Sequence, residues 1–302
     1  MSPIIDTHQH LWDLSRFELP WLDGAEPLKR SYLPDDYAAA SEGTGIERTI
    51  YMEVDLAAHQ RLAEADYVLD LIARDDMPTT AAVLSGHPAD PGFADYVARF
   101  DGTSEIKGFR QVLHVPEAAR GACLQGEFVA GVRLLGSKGY LFDVCVRPGE
   151  LGDAAELAER CPDTQLVLDH CGNADPNVVG RADAGAGDAT ASDEPYAHTA
   201  DQWRRDIERL AGRPNVVCKI SGVISRALPG WTAGDVAPTI DHCLDAFGPD
   251  RVVFGGDWPV CTLGAGANLD SWVAALRKII ATRGDAEQRQ LLHDNATRIY
   301  GL

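Results

Sequence analysis

The chain has 302 residues, 45% apolar and 24% charged, the balance of a water-soluble globular protein with a sizeable core. Acidic residues outnumber basic ones 46 to 27, a formal charge of −19 that repels phosphate backbones and anionic bilayers and so argues against nucleic-acid and membrane partners. Its 7 cysteines are scattered without a C-x-x-C pair, and no signal-peptide pattern or run of 18 apolar residues occurs, which predicts a reducing, cytoplasmic setting.

Strands are predicted at 3–8, 48–54, 79–85, 106–113, 140–146, 165–171, 215–221 and 251–257. Most are nearly continuous apolar runs that end in polar residues, the pattern of strands buried on both faces. Helix-period segments lie between them at 59–76, 125–139, 148–161, 237–247 and 268–284, and an amphipathic helix over 285–302 closes the chain. Eight strands alternating with helices and no low-complexity linker predict an α/β fold, a (β/α)8 TIM-like barrel, with one domain over residues 1–302; a doubly wound sheet is the competitor. The segment "GRADAGAGDATASDEP" (180–195) is poor in large apolar residues and reads as a flexible insertion after the sixth strand.

A barrel site is assembled from the C-terminal ends of its strands. In "IIDTHQHLWD" (4–13), Asp6, His8 and His10 alternate and are expected to share one face of an extended segment. Strand two carries Glu53 and Asp55, strand four Arg110 with His114 beyond it, and strand five Asp143. Strand six ends at His170, strand seven holds Lys219 and Ser221, and strand eight ends at Asp257 and Trp258. His8, His10, His170 and Asp257 make an N,N,N,O set suited to one zinc ion with a position for water, against the alternative that each is a strand-end group satisfied by hydrogen bonds. Arg110 reads either as a donor fork for substrate oxygens or as an ion-pair partner of Glu53. Lys219 belongs to the site or pairs with Asp143 or Asp169. His114 is either an outer group of the site or a solvated loop residue, and Trp258, like Trp12 and Trp21, either a sugar platform or rim packing.

"DTHQHLWD", "KGFRQVL", "LVLDHCGN", "CKISGV" and "FGGDWP", in this order, resemble the amidohydrolase superfamily, and within it the branch of sugar-acid lactonases of the L-fuconolactonase and L-rhamnonolactonase types, with 2-pyrone-4,6-dicarboxylate lactonase as a cousin. The resemblance runs from about Ile4 to the final "NATRIYGL". It implies that His8, His10, His170 and Asp257 are metal ligands of a mononuclear centre, with Zn2+ the expected occupant, in a branch that tolerates its absence. Asp257 takes a proton from water in this scheme, with His170 as a second catalytic group. The lysine or glutamate that bridges two metals elsewhere in the superfamily has no counterpart at the end of strand four or five, where Lys107 stands at the wrong end.

The expected function is therefore hydrolysis of a sugar-derived lactone, an aldono-1,4- or 1,5-lactone such as L-fucono- or L-rhamnonolactone, to the sugar acid. Glu53, Arg110, His114, Asp143, Lys219 and Trp258 are the expected substrate-binding residues. Alternatives are a metal-dependent decarboxylase of the aminocarboxymuconate-semialdehyde type, a lactonase of the pyrone-dicarboxylate type, and a barrel that only binds a ligand.

Overall fold

Parallel strands buried on both faces need side chains to fill the space inside the sheet and helices to cover the outside. A computed structural model, describing residues 2–183, Gly185 and 195–302, shows this arrangement. The strands are β1 (Ile4–Gln9), β2 (Ile46–Met52), β3 (Thr79–Ser85), β4 (Ile106–Val112), β5 (Leu141–Cys145), β6 (Leu166–Leu168), β7 (Val216–Ile220) and β8 (Val252–Phe254). They pair in parallel in sequence order, and a bridge between Gln9 and Trp258 brings the last strand back to the first, giving a nearly closed (β/α)8 barrel. Ile5, Ile50, Val83, Val167, Val217 and Val253 pack together as one interior layer of the barrel, with Tyr300 from the C-terminal helix beneath them.

One helix of the outer ring follows each strand: Pro34–Ser41, Arg61–Ile72, Phe93–Ala98, Gly126–Ser137, Leu151–Arg160, Ala200–Ala211, Ala233–Phe247 and Leu269–Ile280. The first, third and sixth have no counterpart among the predicted helices. Two of them are too short to show a period, and the sixth starts from a Thr199 cap whose hydroxyl accepts from the Gln202 amide at 3.1 Å. The closing helix is interrupted by a π-helical turn over Gln290–Asp294.

Two strands end earlier than their apolar runs predict. β8 stops at Phe254 because Gly255 and Gly256 follow, where a side chain would collide with His8 and with the Asp6 carboxylate. β6 stops at Leu168 because His170, Cys171, Gly172 and Asn173 all have positive φ, one turn of left-handed backbone. Of the expected insertion at 180–195, residues 180–183 complete a helix, Pro176–Asp183, and most of the remainder lies outside the described residues. No helix among the described residues is long and apolar enough to cross a membrane.

Candidate active site

The site begins where β1 meets β8. Asp6 does not share the face of the two histidines, contrary to expectation: a register irregularity falls between Asp6 and Gln9. Its buried carboxylate accepts from Tyr37 Oη at 2.8 Å, the His8 amide at 2.9 Å and the Gly256 amide at 2.6 Å. Those bonds fasten β1 to the end of β8. The Asp257 amide donates to the His8 carbonyl and the His10 amide to the Trp258 carbonyl, both at 2.9 Å. Backbone pairing thus fixes Asp257 against both imidazoles, its Oδ1 3.7 Å from His8 Nε2 and 3.6 Å from His10 Nε2. His10 Nδ1 lies 3.0 Å from the Met52 carbonyl, which can only accept, so Nδ1 carries the proton and Nε2 presents a lone pair to the site.

His170 comes from the left-handed turn after β6. Single non-glycine residues at positive φ are uncommon and their cost is met only where the surroundings hold them. Here Trp203 Nε1 donates to the Cys171 carbonyl and Asn173 Nδ2 to the Val146 carbonyl, each at 2.9 Å. His170 Nδ1 is 2.9 Å from Ser221 Oγ, leaving Nε2 for the pocket, and its ring centroid lies 4.5 Å from that of His8. Burial holds the imidazole below its ordinary pKa, partly offset by Asp257 and Asp169.

Beneath this rim lies a buried layer of charge. Arg110 Nε donates to Glu53 Oε1 at 2.6 Å, its Nη2 to the Glu53 carbonyl at 2.8 Å, and its Nη1 sits 3.4 Å from Asp169 Oδ2. Lys219 lies between Asp143, at 2.5 Å, and Asp169, at 3.0 Å. Burial opposes charge on Asp169, but Lys219 and His8 outweigh it and hold the carboxyl well below the usual range. Burial also works against the Lys219 ammonium, and Asp143 and Asp169 overturn it, keeping the amine charged. Asp143 moves the other way, pushed up to about 7 by burial against the pull of Lys219. The His8 imidazole is held well below its ordinary pKa by burial and by Lys219, so it is neutral.

Over this layer opens a cavity of about 150 Å³, room for one small ring. Asp257, His170, His10, Arg110 and His114 line it, together with Asp55 and Trp21. The expected substrate contacts divide accordingly. Arg110 and His114 reach the cavity, and Arg110 is also the ion-pair partner of Glu53. Glu53, Asp143 and Lys219 do not line it; at 1%, 0% and 0% exposure they lie in the layer below, and the structure gives them charged neighbours in place of a ligand. Trp258 likewise packs edge-on against Tyr32 and Tyr37 and stays off the lining. Asp55, in sequence a strand-end carboxylate, also stands on the wall, a place the alternation of β2 does not signal.

The donor set fits one divalent metal. Ligand atoms of His8, His10 and Asp257 lie within 4.8 Å of one another, while His170 groups instead with His8 and Asp169. The four-residue set therefore divides into a triad and an adjacent histidine. The surroundings are compatible with this: among the described residues, the carboxyls of Glu53, Asp55, Asp143, Asp169 and Asp257 gather around Arg110 and Lys219.

A barrel whose strand ends gather two histidines from β1, one from β6 and an aspartate from β8 is the architecture of the amidohydrolases. The amidohydrolase family model matches residues 5–302, and the chain belongs to that family. It is 31% identical to an L-fucono-1,5-lactonase of Burkholderia multivorans over 99% of this chain and 96% of that protein. It is 24% identical to an L-rhamnono-gamma-lactonase of Scheffersomyces stipitis over 99% and 98% of the two chains. A Burkholderia multivorans amidohydrolase solved with bound zinc superposes with a TM-score of 0.81 at 30% identity, 99% of each chain being covered.

Proposed function

We propose that this enzyme hydrolyses a sugar-derived lactone, an aldono-1,4- or 1,5-lactone of the L-fucono or L-rhamnono kind, to the open sugar acid. The observation that carries the reading is the placement of Asp257 on the wall of a one-ring cavity, 3.6 Å from a His10 nitrogen that presents a lone pair, with Arg110 and His170 on the same wall. The similarity to lactonases over nearly the whole chain supports it.

Opening a lactone needs a base for water, a donor set for the developing oxyanion and a proton for the departing ring oxygen. Asp257 Oδ1 is the base that takes the proton from water and later returns it to the ring oxygen. Arg110 and His170 orient the lactone carbonyl, and His114, held neutral by burial with a pKa down at about 3, offers an uncharged polar contact. His8, His10 and Asp257 would hold a zinc ion, with His170 beside them, and when bound the ion supplies Lewis-acid polarisation and a more acidic water. Asp143 and Lys219 fix His8 from below, and Glu53 fixes Arg110. The chain is proposed to act as one domain over residues 1–302.

The test is a panel of aldonolactones, L-fucono-, L-rhamnono- and D-galactonolactone among them, followed with a pH indicator on protein of known metal content. Turnover of at least one is expected; its absence across the panel would remove the reading.

A further inference from the structure

Asp55 is the second carboxyl on the cavity wall, following β2 as Asp257 follows β8, the two strands that flank β1. It stands at φ 49 just beyond β2, and its amide donates to Glu53 Oε2 at 2.7 Å. A left-handed residue there could be explained by backbone alone, because aspartate, asparagine and glycine all tolerate that region. The surroundings give the carboxyl a further consequence. Among the described residues, the cations near it each already have a partner. Arg110 is bound to Glu53 and faces Asp169, and Arg61 pairs with Asp90 at 3.0 Å. Arg226, near His114, donates to the Asn173 carbonyl and lies 3.5 Å from the Tyr196 ring. Glu53 and Glu117 add negative charge around Asp55. Among the described residues, the wall thus offers a ligand two carboxyls, and the charge of Arg110, its one arginine, is already balanced by Glu53 and Asp169.

We infer that Asp55 is a specificity residue of this cavity: it accepts a hydroxyl of a neutral polyol ring and rejects ring ligands that carry a carboxylate. The inference rests on the reading of the cavity as a lactone site and narrows its substrate class to uncharged lactones. The mechanism is the ordinary one for selectivity between similar rings, in which a buried acceptor is left facing a like charge when the wrong ligand enters. Burial and Glu53 push the Asp55 carboxyl up to about 7, so the comparison is best made at pH 8, where it is mostly ionised.

The experiment compares wild type, Asp55→Asn and Asp55→Gly at pH 8 in two arms. One arm measures kcat and KM for a neutral aldonolactone and for an aldarolactone bearing a free carboxylate. The other measures binding of a neutral sugar lactam and its carboxylated counterpart through the fluorescence of Trp21, which lines the cavity, and needs no turnover. Asparagine keeps both the shape and the left-handed backbone, so folding is preserved. The neutral-to-anionic preference is expected to fall by about tenfold or more in Asp55→Asn, mainly through KM and the dissociation constant, and similarly in Asp55→Gly. An unchanged preference in both variants would leave Asp55 a backbone residue and overturn the inference, as would failure of the neutral lactam to bind the wild type. Selective binding without turnover of any lactone would instead sink the proposed reaction and leave the role of Asp55 standing.

Discussion

Arg110 Nη1 lies 3.2 Å from Nε2 of His8, the same nitrogen that stands 3.7 Å from Asp257 Oδ1. Arginine can only donate, so Nε2 of the neutral His8 is the acceptor in this contact, while its Nδ1 stands between Lys219 Nζ at 3.3 Å and Asp169 Oδ1 at 3.6 Å. A guanidinium and a metal ion therefore compete for one lone pair. Arg110→Gln is expected to bind zinc more tightly than wild type in a chelator-competition titration. It should also lose stability, by about 3–5 kcal/mol in denaturant unfolding, because Glu53 is left buried without its partner. Equal zinc affinity in the two proteins would show that the contact does not oppose the metal.

Asp257→Asn should remove the base while leaving the barrel intact. Its carboxylate makes no buried ion pair with a permanent cation among the described residues, so the thermal midpoint should move by only a few degrees. Turnover should fall by about 10²–10⁴-fold. A variant that retains most of its kcat would dismiss Asp257 as the base.

Gly222 has φ +69, and a Cβ there would come within 2.6–2.8 Å of the His170 ring and its Cβ. Gly222→Ala must push the imidazole off its bond with Ser221. Activity should drop by at least about 10²-fold, with a stability loss of about 1–3 kcal/mol. Ser221→Ala, which removes the same bond without steric pressure, should cost less in both assays; the reverse order would mean that the ring is held by something else.

Glu64 is buried, accepts from Tyr51 Oη and the Val54 amide at 3.0 Å each, and has its other oxygen without a partner. Burial and the nearby Glu53 push its carboxyl up to about 8. The folded chain then keeps a proton that the unfolded chain releases near pH 4.5, so this group lowers stability as pH rises from about 4.5 to 8. Glu64→Gln removes that penalty. Its advantage over wild type in urea unfolding should grow between pH 5 and pH 8, and a constant difference would contradict a retained proton.

The strand ends named in sequence do carry the polar residues from which the cavity is built, and the eight strands are present within a few residues of their predicted limits. What alternation reports is which face of a strand a side chain occupies; it does not report height. Arg110 and Asp143 are paired in register on neighbouring strands, yet one reaches the cavity and the other lies sealed below it. Lys219 and Glu53 likewise face inward by alternation yet lie in the layer below the cavity. Asp6 departed further, because an irregularity within β1 cancels the alternation that would have aligned it with His8. The early end of β6 had only Gly172 as a clue, since three of the four left-handed residues there are not glycine.

All seven cysteines are free thiols, none more than 3% exposed, and Cys171, Cys218 and Cys243 gather on the far side of the turn that carries His170. A thiol reagent added to the folded protein meets almost no sulfur. The colour it develops with time is then a clock for the opening of the barrel, and Cys171 ticks at the moment the turn beneath the active site comes apart.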